Sequence, residues 1–176
     1  EEQGQLASCV ACSVVGAMEH AERKAGRPAA EFSRMFLYFN GRRLRGTPDR
    51  DSGMSVPQCL AAFLAFGAPP ESAWPYKPDL LAKEPDAAAY AQALQNVPAE
   101  YARVEGQASI QGALAEGFPV AFIFQLPIRC YEEAARTGVV PAPSKAEVDA
   151  AFQVGGHSML LVGYDLDKAT YLVRNS

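Results

Sequence analysis

Reactive side chains are few in this sequence: four cysteines, Cys9, Cys12, Cys59 and Cys130, and two histidines, His20 and His157. Cysteine catalysis needs an ionised thiol, a base within hydrogen-bond reach and donors awaiting an oxyanion. Cys9 opens a run expected to form a long buried helix. The partial positive charge at a helix start favours thiolate. The unpaired N–H groups of that first turn can receive an oxyanion. Position alone makes Cys9 the most activatable of the four. Cys12 lies about one turn deeper among apolar neighbours, Cys59 mid-helix and Cys130 after an expected strand; all three read as structural. His20 sits beside Glu19 and Glu22 and reads as solvated. His157 follows Gly155-Gly156 and heads an apolar strand. Glycines there let another chain approach closely. A lone histidine is most often structural, so the residues around His157 leave catalysis and packing both open.

The elements that must position these groups follow from periodicity and punctuation. Ser8 or Cys9 to about Lys24 is apolar nearly all round at its start, as in a buried helix, and stops at Gly26 and Pro28. Ser33 caps an expected helix reaching about Leu44. Ser55 caps a third, with Pro57 in its first turn and Gly67 at its end. Shorter helices are expected over 86–95 and over 109–116, the latter closed by Gly117. Tyr101–Val104 and Pro119–Leu126 read as strands. The stretch 138–153, with Pro141 and Pro143, reads as irregular. Strands follow over 157–164 and 170–174, joined by a hairpin turn at Asp165-Leu166-Asp167-Lys168. Helices first and antiparallel strands after is an α+β order. A cleft between a helical lobe and a sheet lobe is where a site belongs.

Three segments carry a resemblance. Gln3-Gly4-Gln5-Leu6-Ala7-Ser8-Cys9-Val10-Ala11-Cys12-Ser13 resembles the active-site segment of papain-like cysteine proteases, peptidase family C1. Gly155-Gly156-His157-Ser158-Met159-Leu160-Leu161-Val162-Gly163-Tyr164-Asp165 is similar to that family's histidine strand. Tyr171-Leu172-Val173-Arg174-Asn175-Ser176 is similar to its asparagine strand. The order agrees, with the histidine about 150 residues after the cysteine and the asparagine 18 after the histidine. Asp51-Ser52-Gly53 stands where the family has a glycine-bearing substrate edge, and Trp74-Pro75-Tyr76 resembles its Tyr-Pro-Tyr segment. The run at 36–40 and Thr137-Gly138-Val139-Val140 look most like bacterial members.

The resemblance implies a two-lobe fold, a buried central helix in a helical lobe packed against an antiparallel sheet lobe, and peptide hydrolysis through an acyl-thioester on Cys9. His157 would be the base and then the acid, and Asn175 would orient it. The Gln3 amide and the Cys9 N–H would form the oxyanion hole. Gly53 would offer backbone hydrogen bonds to an extended peptide. Met54, Gly156 and Ser158 are candidates for the wall of a substrate pocket. The implied partners are a polypeptide substrate and an inhibitory propeptide; no cofactor or metal is implied. The expected organisation is one peptidase domain, mainly helical over 1–97 and mainly sheet over 98–176.

The departures have consequences. Leu6 replaces a cysteine that makes a disulfide beside the nucleophile in typical members, so that bridge is expected to be absent. Ala7 replaces a glycine, Val10 a tryptophan and Cys12 a phenylalanine. The family continues past its Asn-Ser with Trp-Gly, whose indole shields the asparagine. The chain opens Glu1-Glu2-Gln3-Gly4, neither a basic leader nor an initiator methionine. More chain is therefore expected at both ends.

Bulk composition excludes other classes. Apolar residues make up 49% and charged residues 20%, a globular balance. A net charge of −4 argues against nucleic acid as partner. The cluster Arg42, Arg43, Arg45 reads as a solvated helix end suited to the dipole. No apolar run reaches the roughly 18 residues of a membrane span. Four cysteines leave the compartment open, with a secreted or periplasmic place favoured over the cytoplasm. Three rivals use the same residues. One is a papain-like binding protein without turnover. Another is an acyl transferase or deamidase on the same triad. The third is a redox protein using Cys9-Val10-Ala11-Cys12, which lacks the preceding strand such motifs have.

Overall fold

The computed structural model describes residues 2–28, 30–98, 100–125, 127–151 and 156–176. The chain groups into two compact units, Glu1–Phe122 with Met159–Ser176, and Ile123–Ser158. The fold is α+β.

Helix α1 (Cys9–Lys24) buries Val10, Ala11, Cys12, Val14 and Val15. The apolar-all-round start is therefore what a helix inside the unit requires. Gly16 is where it meets the sheet. A Cβ there would lie 3.3 Å from the Arg174 guanidinium and 3.5 Å from Leu160. Helix α2 (Arg34–Arg43) buries Met35, Phe36, Leu37, Tyr38 and Phe39 and packs against α1 and α3. Its cap is Ser33, whose Oγ accepts the Phe36 N–H at 3.0 Å. Helix α3 (Val56–Phe66) starts on a reciprocal cap between Ser55 and Gln58. It ends at Gly67, φ 72°, where any Cβ would run into the Ala93 carbonyl. Helix α4 (Ala87–Ala93) is capped by Asp86 on the Ala89 N–H, 2.8 Å. Tyr90 of α4 packs edge-on against Phe36, centroids 5.0 Å apart.

Helix α5 spans Gly106–Ala115, three residues earlier than its sequence pattern suggests. Residues 101–104 form no strand; Tyr101 to Arg103 lie exposed, with no ladder to use their β preference. Strand β1 is Val120–Phe124, and Leu126 lies outside the described residues. Helix α6 (Ile128–Thr137) forms where no element was expected, and α7 (Lys145–Ala151) corrects the expectation of irregular chain over 138–153. Helix α6 buries little besides Cys130, so its apolar stripe is too thin to read. The start of α7 was legible. Ser144 accepts the Glu147 N–H, and Glu147 takes the Ser144 N–H at 2.8 Å, the Ser-x-x-Glu capping pattern.

Strand β2 (His157–Asp165) pairs antiparallel with β3 (Thr170–Arg174), and the sheet order is β1-β2-β3. The hairpin turn stands where expected, with the Lys168 N–H on Asp165 Oδ1 at 3.0 Å. Register slips between Leu161 and Gly163, leaving Val162 as a bulge.

Three polar residues depart from their sequence reading. Arg42 is fully buried rather than solvated. Its guanidinium donates to the carbonyls of Tyr38 (3.1 Å), Pro48 (2.7 Å), Arg50 (2.8 Å) and Leu81 (2.6 Å). A buried cation is tolerable when its N–H groups are satisfied. Glu19 is buried and accepts the Phe32 N–H at 3.2 Å. His20 is half-buried, its Nε2 3.0 Å from the Gly117 carbonyl oxygen.

Candidate active site

The segment leading into α1 is held at several points. Tyr76 donates its hydroxyl to the Gln3 carbonyl at 2.7 Å, and the same oxygen meets Ser8 Oγ. Burial pushes the Tyr76 phenol upward in pKa, which keeps it a donor. Ser8 is buried and its side chain does not cap the helix. Cys9 is therefore the first helical residue of an end that the Ser8 side chain does not cap. It is half-buried, whereas Cys12, Cys59 and Cys130 are buried. None of the four is in a disulfide. Burial drives the Cys59 thiol far up in pKa, the state of an inert core thiol.

Both ends of the Gln3 amide are engaged. Nε2 donates to the Leu6 carbonyl at 2.8 Å, and Oε1 accepts from Ser176 Oγ at 2.7 Å. An amide nitrogen carries two donors, so one N–H remains beyond the bond to Leu6. The Ser176 bond also ties the end of β3 to the nucleophile segment. Asn175 stands between that bond and Arg174, which pairs in register with Leu160 and abuts Gly16.

Asp51 lies on the far side of the same segment. Its carboxylate accepts the Ala7 N–H at 3.0 and 3.2 Å and also the Tyr38 hydroxyl. Gly53, φ 64°, gives its N–H to Tyr38 Oη at 3.1 Å. One of the two backbone groups expected to meet substrate is thus engaged inside the chain. Met54 is buried with its sulfur against Gly41.

His157, Gly156 and Ser158 belong to the smaller unit. Gly156 is exposed, and a Cβ there would run into the Ile123 side chain and lie 3.7 Å from the Phe124 carbonyl. That close approach accounts for one glycine of the pair; Gly155 lies outside the described residues. His157 is half-buried at the start of β2, and Ser158 is buried. The Gln3–Ser176 bond thus joins the segment that carries Cys9 to the chain end that carries Asn175, within the larger unit. Tyr76, Asp51, Tyr38 and Ser176 are the supporting residues; each lies in a segment that carries the resemblance, but no motif shows the bonds they make. Among the described residues no cluster of His, Cys, Asp and Glu could hold a metal ion.

No family model matches the chain. An uncharacterized peptidase C1-like protein of Acanthamoeba polyphaga mimivirus is 30% identical over 186 residues. The alignment takes in 99% of this chain, which spans 58% of that relative's length. Xylellain, a cysteine protease from Xylella fastidiosa, superposes with a TM-score of 0.81 at 26% identity, over 99% of this chain and 69% of its own. In sequence and in fold the chain is thus similar to the papain-like proteins of peptidase family C1. Digestive procathepsin L 3 of Tenebrio molitor shares the papain-like fold, with a TM-score of 0.69 at 17% identity, over all of this chain and 55% of its own. A Carica candamarcensis cysteine protease, in complex with E-64, does so at 0.66 and 19%, over all of this chain and 75% of its own.

Proposed function

We propose that this papain-like chain supplies the catalytic centre of a thiol peptidase acting on polypeptides. The observation that carries the reading is Cys9 at the start of buried α1, beyond a Ser8 that does not cap it, with Gln3 oriented at both ends of its amide on the same segment. In this reading the Cys9 thiolate attacks the scissile carbonyl. The oxyanion is received by the Cys9 N–H and the remaining Gln3 N–H. His157 protonates the leaving amine, then takes a proton from the water that hydrolyses the acyl-thioester. Asn175 orients the imidazole. Gly53, Met54, Gly156 and Ser158 are the proposed substrate border. Gly53 would meet the peptide through its carbonyl, since its N–H is on Tyr38.

An inhibitory propeptide and a secreted or periplasmic location belong to the same reading; one structural neighbour is described as a procathepsin. The test uses the full-length protein. Cys9→Ala should abolish turnover of a fluorogenic peptide while circular dichroism stays native. Iodoacetamide at neutral pH should label Cys9 much faster than free cysteine. Turnover surviving in Cys9→Ala would sink the reading.

A further inference from the structure

Helix α2 sends two side chains from one face, Tyr38 and Arg42, spaced four apart. The Arg42 guanidinium lies 4.1 Å from the Tyr38 ring and holds the Pro48 and Arg50 carbonyls. Tyr38 holds the next residues of that loop, donating to the Asp51 carboxylate and accepting the Gly53 N–H. Asp51 passes the constraint on, since both its oxygens accept the N–H of Ala7, two residues before Cys9. Gly53 closes the ring. A Cβ there would lie 3.7 Å from the Ala7 carbonyl oxygen and 3.8 Å from the Ala7 methyl. Burial, then the bond to Asp51, raises the Tyr38 pKa, so the phenol stays protonated and donates.

We propose that Asp51 and Tyr38 are positioning residues for the nucleophile, linking the backbone before Cys9 to the Gly53 loop through one carboxylate–phenol pair. The proposal rests on the thiol-peptidase reading and names how that site is held. Nothing else described ties the Ala7 N–H, and a charge-assisted bond to a backbone N–H is stronger than a neutral one. Loss of the pair frees Ala7, two residues before the helix, to fray. Cys9 then departs from the geometry that the oxyanion donors require, where a small misplacement is costly. The tie is noncovalent and joins the segment that holds Leu6 to the loop before α3. It therefore keeps the nucleophile placed under reducing and oxidising conditions alike.

The experiment compares wild type, Asp51→Ala, Asp51→Asn and Tyr38→Phe in the full-length protein, each checked for native circular dichroism. Rates are normalised to thiol titrated by iodoacetamide. Asp51→Ala should lower kcat per titrated thiol about tenfold or more, with KM moving less than about threefold. Asp51→Asn keeps an acceptor for the Ala7 N–H and should restore kcat to within about threefold of wild type. Tyr38→Phe should fall between them. The rate of Cys9 alkylation across pH should shift towards that of an ordinary thiol in Asp51→Ala, and this readout needs no substrate. A shifted alkylation profile without any wild-type turnover would end the peptidase reading and support the tether. Wild-type kcat and alkylation in Asp51→Ala would overturn the tether, whatever its melting temperature. So would an Asp51→Asn as impaired as Asp51→Ala. If Asp51→Ala does not fold, Tyr38→Phe with unchanged kcat and alkylation overturns it, and a lowered kcat supports it.

Discussion

Cys9 differs from the other three thiols in its surroundings, not in its chemistry. Cys12, Cys59 and Cys130 are closed off by apolar packing, while Cys9 reaches solvent at a helix start. Both histidines are half-buried; His20 meets the Gly117 carbonyl and His157 opens β2. In the proposed mechanism His157 moves the proton and Asn175 only orients it. Asn175→Ala should therefore cost less kcat than His157→Ala, whose loss should approach about 10⁴-fold by analogy with other triads. Steady-state kinetics on titrated enzyme checks the order, and equal losses would remove the orienting role. Cys9, His157 and Asn175 are candidates that three short motifs supply. The bonds between their supports were not legible there. Asp51 and Tyr38 are thirteen apart in sequence and meet only because α2 and the following loop fold back on each other.

At the scale of elements, the capping residues were the readable part. Ser33, Ser55 and Asp86 each sit where a helix begins, and each accepts an N–H three residues on. Gly67 is readable for a second reason, its left-handed backbone against the Ala93 carbonyl. Gly67→Ala should destabilise the protein by about 2 kcal/mol or more, since strain and overlap add. Urea denaturation checks this, and an unchanged midpoint would contradict the packing described. The α6–α7 pair was missed because it is held by charges rather than an apolar stripe. Arg129 bonds Glu147 at 2.6 Å and Glu133 at 3.3 Å. The bond to Arg129, aided by Ser144, lowers the Glu147 pKa from 4.5 to about 2. A carboxylate with a depressed folded pKa contributes stability above its unfolded value and loses it as pH falls through the folded one. The α7 amides should therefore stay protected at pH above about 4.5 and lose protection towards about pH 2. Hydrogen exchange across that window checks the tie, and Glu147→Gln should flatten the dependence.

At the scale of the whole molecule, Arg42 is the largest surprise. It joins α2 to two loops through carbonyls at 48, 50 and 81. Arg42→Met keeps the volume but leaves those carbonyls without a donor. It should cost about 3 kcal/mol or more, read as a lowered melting midpoint. A midpoint unchanged from wild type would show that water replaces the guanidinium. Among the described residues no helix is long and apolar enough to cross a membrane.

The sequence by itself determined the α+β class and the main helix starts, and it named Cys9, His157 and Asn175 as the candidates. Those depend on local chemistry: caps, glycines, apolar periodicity and short ordered motifs. Only the tertiary structure decided that Arg42 and Glu19 are buried, that Gln3 is bound to Ser176, and that Asp51 grips Ala7. Each of those joins residues far apart in the chain. A polar side chain looks the same in a sequence whether water or a folded-back carbonyl satisfies it.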